Sequence, residues 1–378
     1  MEPNTHFEFD TPTARCLSLS LQDSVTTYVN FSNPLCAALW NENKRDWLHE
    51  HFTGLYSIGT EDEYFWLDYL EPLHFLAELG DYRFLNAQQM EPVEDVVEFI
   101  KEHVDRGRYG MVFVDAFHLS QRRTAGVHEP LQMFWYGYDS AEETIFSIGF
   151  DRDHTYVPIR QTYAEVAQAY RSLREQRSHA PVWVRLYNVV LFAMSAPEEV
   201  YRLTPGRVLA SVQDYLRGAG TPDQLRPEIR AARGEQAIFG SRVQNQYVRH
   251  LANLLEGRFT TDYRSMHLLA EHKKLLYRKL CRVAELLGRA DAVVKPLADY
   301  LVIVKRFEQA RIGYLKEVFR ESGLISLYGQ LRNEKVIRHA METVAWAAEA
   351  ERKVLEQIHE LLTRDGLHCG SPSEALSS

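Results

Sequence analysis

The sequence LQMFWYGYDSAEETIFSIGF (residues 131–150) contains two apolar, aromatic-rich runs separated by turn-forming residues. This composition is typical of two strands joined by a hairpin, and it predicts a turn at residues 137–140. Residues 110–115 (GMVFVD) and residues 156–159 predict two further strands. Because short connections between consecutive strands favour antiparallel pairing, this region predicts an antiparallel sheet.

Helical patterns flank the predicted sheet and then dominate the chain. Residues 93–104 and 162–173 place apolar side chains at helical spacing. Beyond about residue 190 strand signals are few, and helices are predicted over residues 231–255, 261–287, 291–322 and 333–363. Strands followed by helices predict the α+β class, with an antiparallel sheet in an N-terminal domain and an all-helical C-terminal domain.

These patterns also predict the domain boundaries. We place an N-terminal domain at residues 1–175 and a helical bundle at residues 190–366. Residues 367–378 include the stretch Gly370-Ser371-Pro372-Ser373, and we expect them to form a disordered tail.

Composition argues against several classes of function. The net charge of −9 argues against broad electrostatic binding of nucleic acid. No apolar run reaches the roughly 20 residues of a membrane span, and the N-terminus resembles no secretory signal. The 4 cysteines lack the closely spaced pairs of a structural zinc site. We therefore expect a cytoplasmic protein without a metal or cofactor, which binds neither nucleic acid nor membranes.

A cysteine, a histidine and an aspartate occur in the order that papain-type catalysis uses. Cys16 opens an apolar run after the cap-type residues Thr11 and Thr13, so a helix is expected to begin there and to favour the thiolate. His128 precedes the strand at residue 131, and Asp151 follows the strand ending at Phe150. The hypothesis makes Cys16 the nucleophile, His128 the base and Asp151 the residue that orients the ring.

Each of these residues also has a plain structural interpretation. A lone cysteine is most often a small buried hydrophobic residue. His128 would then be a surface histidine on a loop, and Asp151 a turn aspartate. His118 and His154 are alternative bases, and Asp153 is an alternative to Asp151.

Several short motifs resemble the family of the butirosin biosynthesis acyltransferase. They are Cys16 with the block to Asn33, the strand VFVD ending at Asp115 before AFHL, the run from His128 into Gly137-Tyr138-Asp139, and Asp151. The match covers roughly residues 14–175, and the helical half, including residues 331–335, looks like the accessory domain of such proteins. Arg15 stands where that family commonly has a histidine.

The resemblance implies a papain-like N-terminal domain and a reaction. An acyl group would pass from a carrier-protein thioester to Cys16 and then to an amine acceptor, which forms an amide in the biosynthesis of a specialised metabolite. The implied partners are an acyl or peptidyl carrier protein and a small amine. Basic patches that could dock the carrier are Arg122-Arg123 and Lys273-Lys274 with Arg278-Lys279. The oligomeric state stays open.

Two other functions remain compatible with the same residues. A cysteine hydrolase of the same fold would use water as the acceptor. A catalytically silent scaffold would use the helical half to bind a biosynthetic partner protein.

Overall fold

The computed structural model describes residues 6–59, 65–122, 126–153, 155–258, 261–322, 328–329 and 331–364. Its strands are β1 (His6–Asp10), β2 (Ala14–Ser20), β3 (Leu55–Gly59), β4 (Phe65–Tyr69), β5 (Gly80–Leu85), β6 (Tyr109–Asp115), β7 (Pro130–Asp139), β8 (Thr144–Phe150), β9 (Tyr156–Thr162), β10 (Val189–Met194), β11 (Ala237–Phe239), β12 (Thr261–Asp262) and β13 (Tyr328–Gly329). Its helices are α1 (Val29–Ala38), α2 (Arg45–Glu50), α3 (Val96–Asp105), α4 (Tyr163–Glu175), α5 (Val182–Leu186), α6 (Pro205–Arg217), α7 (Pro227–Arg233), α8 (Val243–Leu255), α9 (Tyr263–Leu286), α10 (Ala290–Ser322) and α11 (Glu334–Thr363).

The fold is α+β, with an antiparallel sheet in the N-terminal part and a helical C-terminal region, as the sequence predicts. The chain forms two compact units. The first contains the residues up to 45 together with 74–201, and the second contains 46–73 together with the residues from 202 on. No helix in the described ranges is both long and apolar enough to cross a membrane.

This division differs from the predicted domains in two places. Residues 46–73 carry β3 and β4 and belong to the second unit, although the prediction placed them in the N-terminal domain. Strand β10 lies inside the predicted helical domain but pairs with β5 and β6 of the first unit. Its apolar run Val189–Phe192 lacks alternation because both faces are buried, which a sequence pattern cannot distinguish from a buried helix. The predicted tail at 367–378 lies outside the described residues.

Strand β7 is the centre of the first unit's sheet. The sheet order is β1-β2-β7-β6-β10-β5. Strand β8 also pairs with β7, and β9 pairs with β8. Residues 130–135 of β7 pair with β6, whereas 137–139 pair with β2. Because β8 also pairs with residues 134–139, it occupies the other edge of β7, so β6 and β2 share one edge end to end.

The predicted strands at residues 110–115, 131–138 and 144–150 are confirmed, but the predicted turn is displaced. Gly137 lies within β7, where the register with β8 shifts, and the reversal falls at residues 140–143. A Cβ atom on Gly137 would lie 2.5 Å from the Arg15 carbonyl oxygen and 2.8 Å from the Phe146 ring. Close approach of neighbouring strands, rather than a turn, therefore explains this glycine.

Helices α3 and α4 pack on the sheet around a core that includes Trp135 and Ile145. Asp95 caps α3 by accepting hydrogen bonds from two backbone N–H groups, and Thr162 with Glu165 forms a capping box at the start of α4. The capping box fixes where α4 starts, and thereby places Ser172 in its last turns beside Asp115 at the end of β6.

The second unit contains the predicted helices. The helices predicted from residues 261, 291 and 333 are confirmed as α9, α10 and α11. Asp262 caps α9, and Asn333 caps α11. The helix predicted over 231–255 is wrong in its first half, because residues 237–239 form β11 against β3. The positive φ of Gly240 (63°) then separates this strand from α8.

A buried polar network joins five helices of this unit. Lys273 of α9 lies 2.7 Å from Glu351 of α11, and both side chains are at most 1% exposed. The Glu351 carboxylate accepts three further hydrogen bonds. Their donors are Tyr215 at 2.9 Å, Tyr300 at 2.7 Å and Gln244 at 2.6 Å. Burial lowers the pKa of Lys273, and Glu351 counteracts this in part. The network therefore keeps an otherwise costly charge inside the bundle.

Replacing Glu351 by Gln should lower the free energy of unfolding by about 3–5 kcal/mol, because it leaves the Lys273 ammonium buried without a carboxylate. Urea unfolding of wild type, E351Q, K273M and the double variant measures this. We expect the double variant to lose less free energy of unfolding than the sum of the losses in the two single variants. Strict additivity would contradict the coupling.

A second buried lysine holds the turn after α2. Lys279 donates to Thr53 Oγ1 at 2.7 Å and to the His51 carbonyl oxygen. Phe52 between them has a positive φ of 60°, and its N–H donates to Glu71. Burial lowers the pKa of Lys279 to about 7, and the Glu71 carboxylate counteracts this in part.

The lowered pKa of Lys279 makes the free energy of unfolding depend on pH. Between about pH 7 and 10 the unfolded chain binds one proton at Lys279 that the folded chain lacks, so the free energy of unfolding rises with pH by about 1.4 kcal/mol per unit. The free energy of unfolding therefore decreases as the pH falls from about 10 towards about 7. In urea titrations between about pH 7.5 and 9.5, the difference between wild type and K279M should follow this slope. Parallel pH profiles would show that Lys279 titrates normally.

Candidate active site

The structure brings His128 together with Asp115. Asp115 is the last residue of β6 and lies opposite Pro130, the first residue of β7. Pairing continues one step further, since the Ala116 N–H donates to the Glu129 carbonyl at 2.9 Å. This register places the His128 ring beside the aspartate, with Nδ1 2.8 Å from Asp115 Oδ2.

The Asp115 carboxylate is buried and fully engaged. Ser172 of α4 donates to Oδ2 at 2.6 Å, and the Phe117 N–H donates to Oδ1 at 3.1 Å. Burial raises the pKa of Asp115, but the hydrogen bonds from Ser172, His128 and Phe117 outweigh this, so its pKa lies below the ordinary value. Asp115 is therefore ionised near neutral pH and can only accept hydrogen bonds.

The His128 ring is held at Nδ1 and its side chain is half-exposed. Because the carboxylate accepts from Nδ1, the neutral ring carries its proton there, and the lone pair lies on Nε2. The ring stacks on Phe117 with centroids 4.1 Å apart and planes 1° apart, and its side chain is 54% exposed. In the described ranges no hydrogen-bond partner is found for Nε2. A held, accessible imidazole of this kind can take a proton from a substrate.

The structure does not bring Cys16 to this pair. Cys16 lies within β2, opposite Gly137, seven residues along β7 from Pro130. Seven extended residues span about 23 Å, far beyond hydrogen-bond reach of His128. The side chain is 4% exposed. The expected helix start at Cys16 is wrong, because β2 pairs with β1 and β7 on its two edges.

Asp151 does not orient His128 either. Its Oδ1 accepts hydrogen bonds from the Asp153 and Thr155 N–H groups, both at 2.9 Å, so Asp151 closes its own turn. Its backbone pairs with Arg122. The orienting carboxylate is Asp115 instead, and the predicted trio of Cys16, His128 and Asp151 is not assembled. The alternative base His118 contacts the His128 ring edge-on at 6.2 Å, and the other alternative, His154, lies outside the described residues.

Three of the basic residues predicted to dock a carrier are internal. Arg122 is 3% exposed and donates to Ser147 Oγ and the Ile148 carbonyl, both at 2.9 Å. Lys273 and Lys279 are fully buried, whereas Lys274 and Arg278 are partly exposed. Arg123 lies outside the described residues. Across the described part of the chain, no cluster of three His, Cys, Asp or Glu side chains could hold a metal ion.

The sequence contained a signal for Asp115 that the trio hypothesis left unused. Asp115 ends a predicted strand, and His128 precedes the next predicted strand. If those two strands form one antiparallel pair, their adjoining ends meet, which brings the aspartate and the histidine together.

Comparison with known proteins adds no assignment. Neither family models, curated proteins nor solved structures give a match to this chain.

Proposed function

We propose that this chain catalyses acyl transfer to an amine with His128 as general base, held by Asp115, and without a covalent intermediate on Cys16. The observation that carries the proposal is the 2.8 Å hydrogen bond between a buried carboxylate and a half-exposed imidazole. The papain-like identity of the first unit and the acyl-transfer chemistry come from the sequence resemblance and belong to the proposal.

The proposed reaction needs only the histidine and two substrates. The nitrogen of the acceptor amine attacks the carbonyl carbon of the thioester, and Nε2 of His128 takes a proton from that amine. The C–N bond forms, the C–S bond breaks, and the imidazolium returns the proton to the departing sulfur. The products are an amide and a free thiol. Asp115 stabilises the imidazolium and keeps the ring in the tautomer that starts the cycle.

Direct transfer fits the geometry better than transfer through Cys16. A covalent route needs the thiol within hydrogen-bond reach of the base, whereas about 23 Å of strand separates their backbone positions. The acyl donor in this proposal is the carrier-protein thioester that the resemblance implies, and the acceptor is a small amine.

A specific observation favours a second candidate, the catalytically silent scaffold. Phe117, which stacks on His128, and Val127, which precedes His128 in the chain, are 40% and 43% exposed. An aromatic and an aliphatic side chain beside a fixed ring would also suit a binding surface without chemistry. Diethyl pyrocarbonate, which acylates the free nitrogen of a neutral imidazole, separates the two functions.

We expect diethyl pyrocarbonate to modify His128 faster than His118 in the wild type, measured by peptide mass spectrometry, because Asp115 fixes the lone pair on the exposed nitrogen. D115N should remove this advantage. D151N is the matched control, since it disturbs only the turn at Asp151 and should leave the rate unchanged. Equal rates for His128 in wild type and D115N would favour the scaffold.

Turnover is tested with acetyl-N-acetylcysteamine as thioester and a panel of small primary amines, by free-thiol release and amide detection. H128A and D115N should each lose about 10²- to 10⁴-fold in rate, the usual contribution of a general base. C16S should keep the wild-type rate. Loss of activity in C16S with retention in H128A would overturn the proposal.

Thiol labelling gives an independent check. In the folded chain iodoacetamide should modify Cys281, which is partly exposed, before the buried Cys16 and Cys36. Burial raises the pKa of Cys36 to about 11, which further slows its reaction. Fast, selective labelling of Cys16 would restore it as the nucleophile.

A further inference from the structure

The carboxylate that holds His128 also receives a hydroxyl group. Asp115 Oδ2 accepts from Ser172 Oγ at 2.6 Å and lies 2.8 Å from His128 Nδ1, so two donors share one oxygen. An ionised carboxylate can only accept, and the serine hydroxyl therefore commits its one proton to it. The 2.6 Å distance is typical of a charge-assisted hydrogen bond. Ser172 thus competes with His128 for the charge on Oδ2.

A second side chain contacts Ser172. Gln176 lies one turn further along the chain, at the end of α4, and its Nε2 donates to Ser172 Oγ at 3.2 Å. Since the serine proton is already committed to Asp115, the serine oxygen is the acceptor, which fixes the orientation of the Gln176 amide. A hydroxyl group that accepts a hydrogen bond becomes a stronger donor. The chain of hydrogen bonds from Gln176 through Ser172 therefore ends on Asp115.

Helix α4 holds Ser172 in this position. The buried side chains that anchor the helix are Val166, Ala169, Tyr170 and Leu173. Residue 172 directly precedes the last of them, in a packed turn of the helix. A packed helix, and not a loop, therefore brings the hydroxyl group to the end of β6, which favours a fixed hydrogen-bond geometry.

We infer that Ser172 is a positioning residue that limits the basicity of His128, by taking part of the Asp115 charge that would otherwise stabilise the imidazolium. A general base is most effective when its protonated and neutral forms are close in free energy at the working pH. In the proposed reaction His128 must also return its proton to the departing sulfur. An aspartate that gave its full charge to the ring would retain that proton. This consequence for turnover rests on the proposed function, whereas the sharing of Oδ2 does not.

The ¹⁵N resonance of His128 Nδ1, assigned with H128Q and recorded above the titration of the ring, tests the sharing. In S172A the Oδ2 atom loses a donor and becomes a stronger acceptor, so the resonance should move downfield as the remaining hydrogen bond strengthens. Q176A should move it in the same direction by less. S172T keeps a hydroxyl group and should keep the wild-type position. S178A is the matched control, because Ser178 is exposed and its hydroxyl contacts His179 instead.

The rate profile gives a second readout. In S172A the imidazolium is stabilised and persists to higher pH, so the acid limb for acetyl-N-acetylcysteamine and the amines should move up by about half to one pH unit. The other titratable groups beside the ring are Asp115 and His118 at the end of β6 and Glu129 next in the chain. S172T leaves all of these unchanged and should keep the wild-type limb.

Two results would overturn the inference. One is a His128 resonance that stays in place or moves upfield in S172A, since a serine with only a structural role would loosen the pair when removed. The other is an acid limb at the same pH in S172A and S172T. If the wild type shows no turnover while S172A moves the resonance downfield, the proposed function fails and the shared carboxylate stands.

Discussion

The pairing register between β6 and β7 is the constraint on which the candidate site depends. Asp115 lies opposite Pro130, and this places His128 within 2.8 Å of a buried carboxylate. A slip of one residue would turn Asp115 to the opposite face of the sheet and leave the imidazole unsupported. The same strand fixes Cys16 opposite Gly137, at the far end of the shared edge. One register therefore both creates the histidine–aspartate pair and separates the cysteine from it.

Local signals in the sequence located most elements but not their partners. Aromatic and β-branched runs predicted the strands at 110–115, 131–138 and 144–150, and capping residues such as Asp262 and Asn333 fixed helix starts. These signals act within a few residues of the chain. Strand β10 was missed because an internal strand with two buried faces has no alternation, so its pattern matches that of a buried helix.

The candidate site was predicted in part. His128 was chosen as the base, and it carries the exposed imidazole of the observed pair. Cys16 was misplaced because the preceding Thr11 and Thr13 resemble helix caps, although Leu17, Leu19 and Leu21 alternate as in a strand. Asp151 was chosen as the orienting carboxylate because it follows the strand that ends at Phe150, and Asp115 was not considered for this role. Which carboxylate reaches the ring depends on strand register, and that is a tertiary property. The inward positions of Lys273 and Lys279 depend likewise on which helix face packs inside.

The tautomer of His128 is the most direct test of the Asp115–His128 pair. Long-range ¹H–¹⁵N NMR above the titration of the ring, with H128Q used to assign the signal, distinguishes the two neutral forms. A proton on Nδ1 in the wild type that is no longer fixed there in D115N is the expected result. A wild-type ring protonated on Nε2, or a tautomer unaffected by D115N, would contradict the pair and with it the proposed general base.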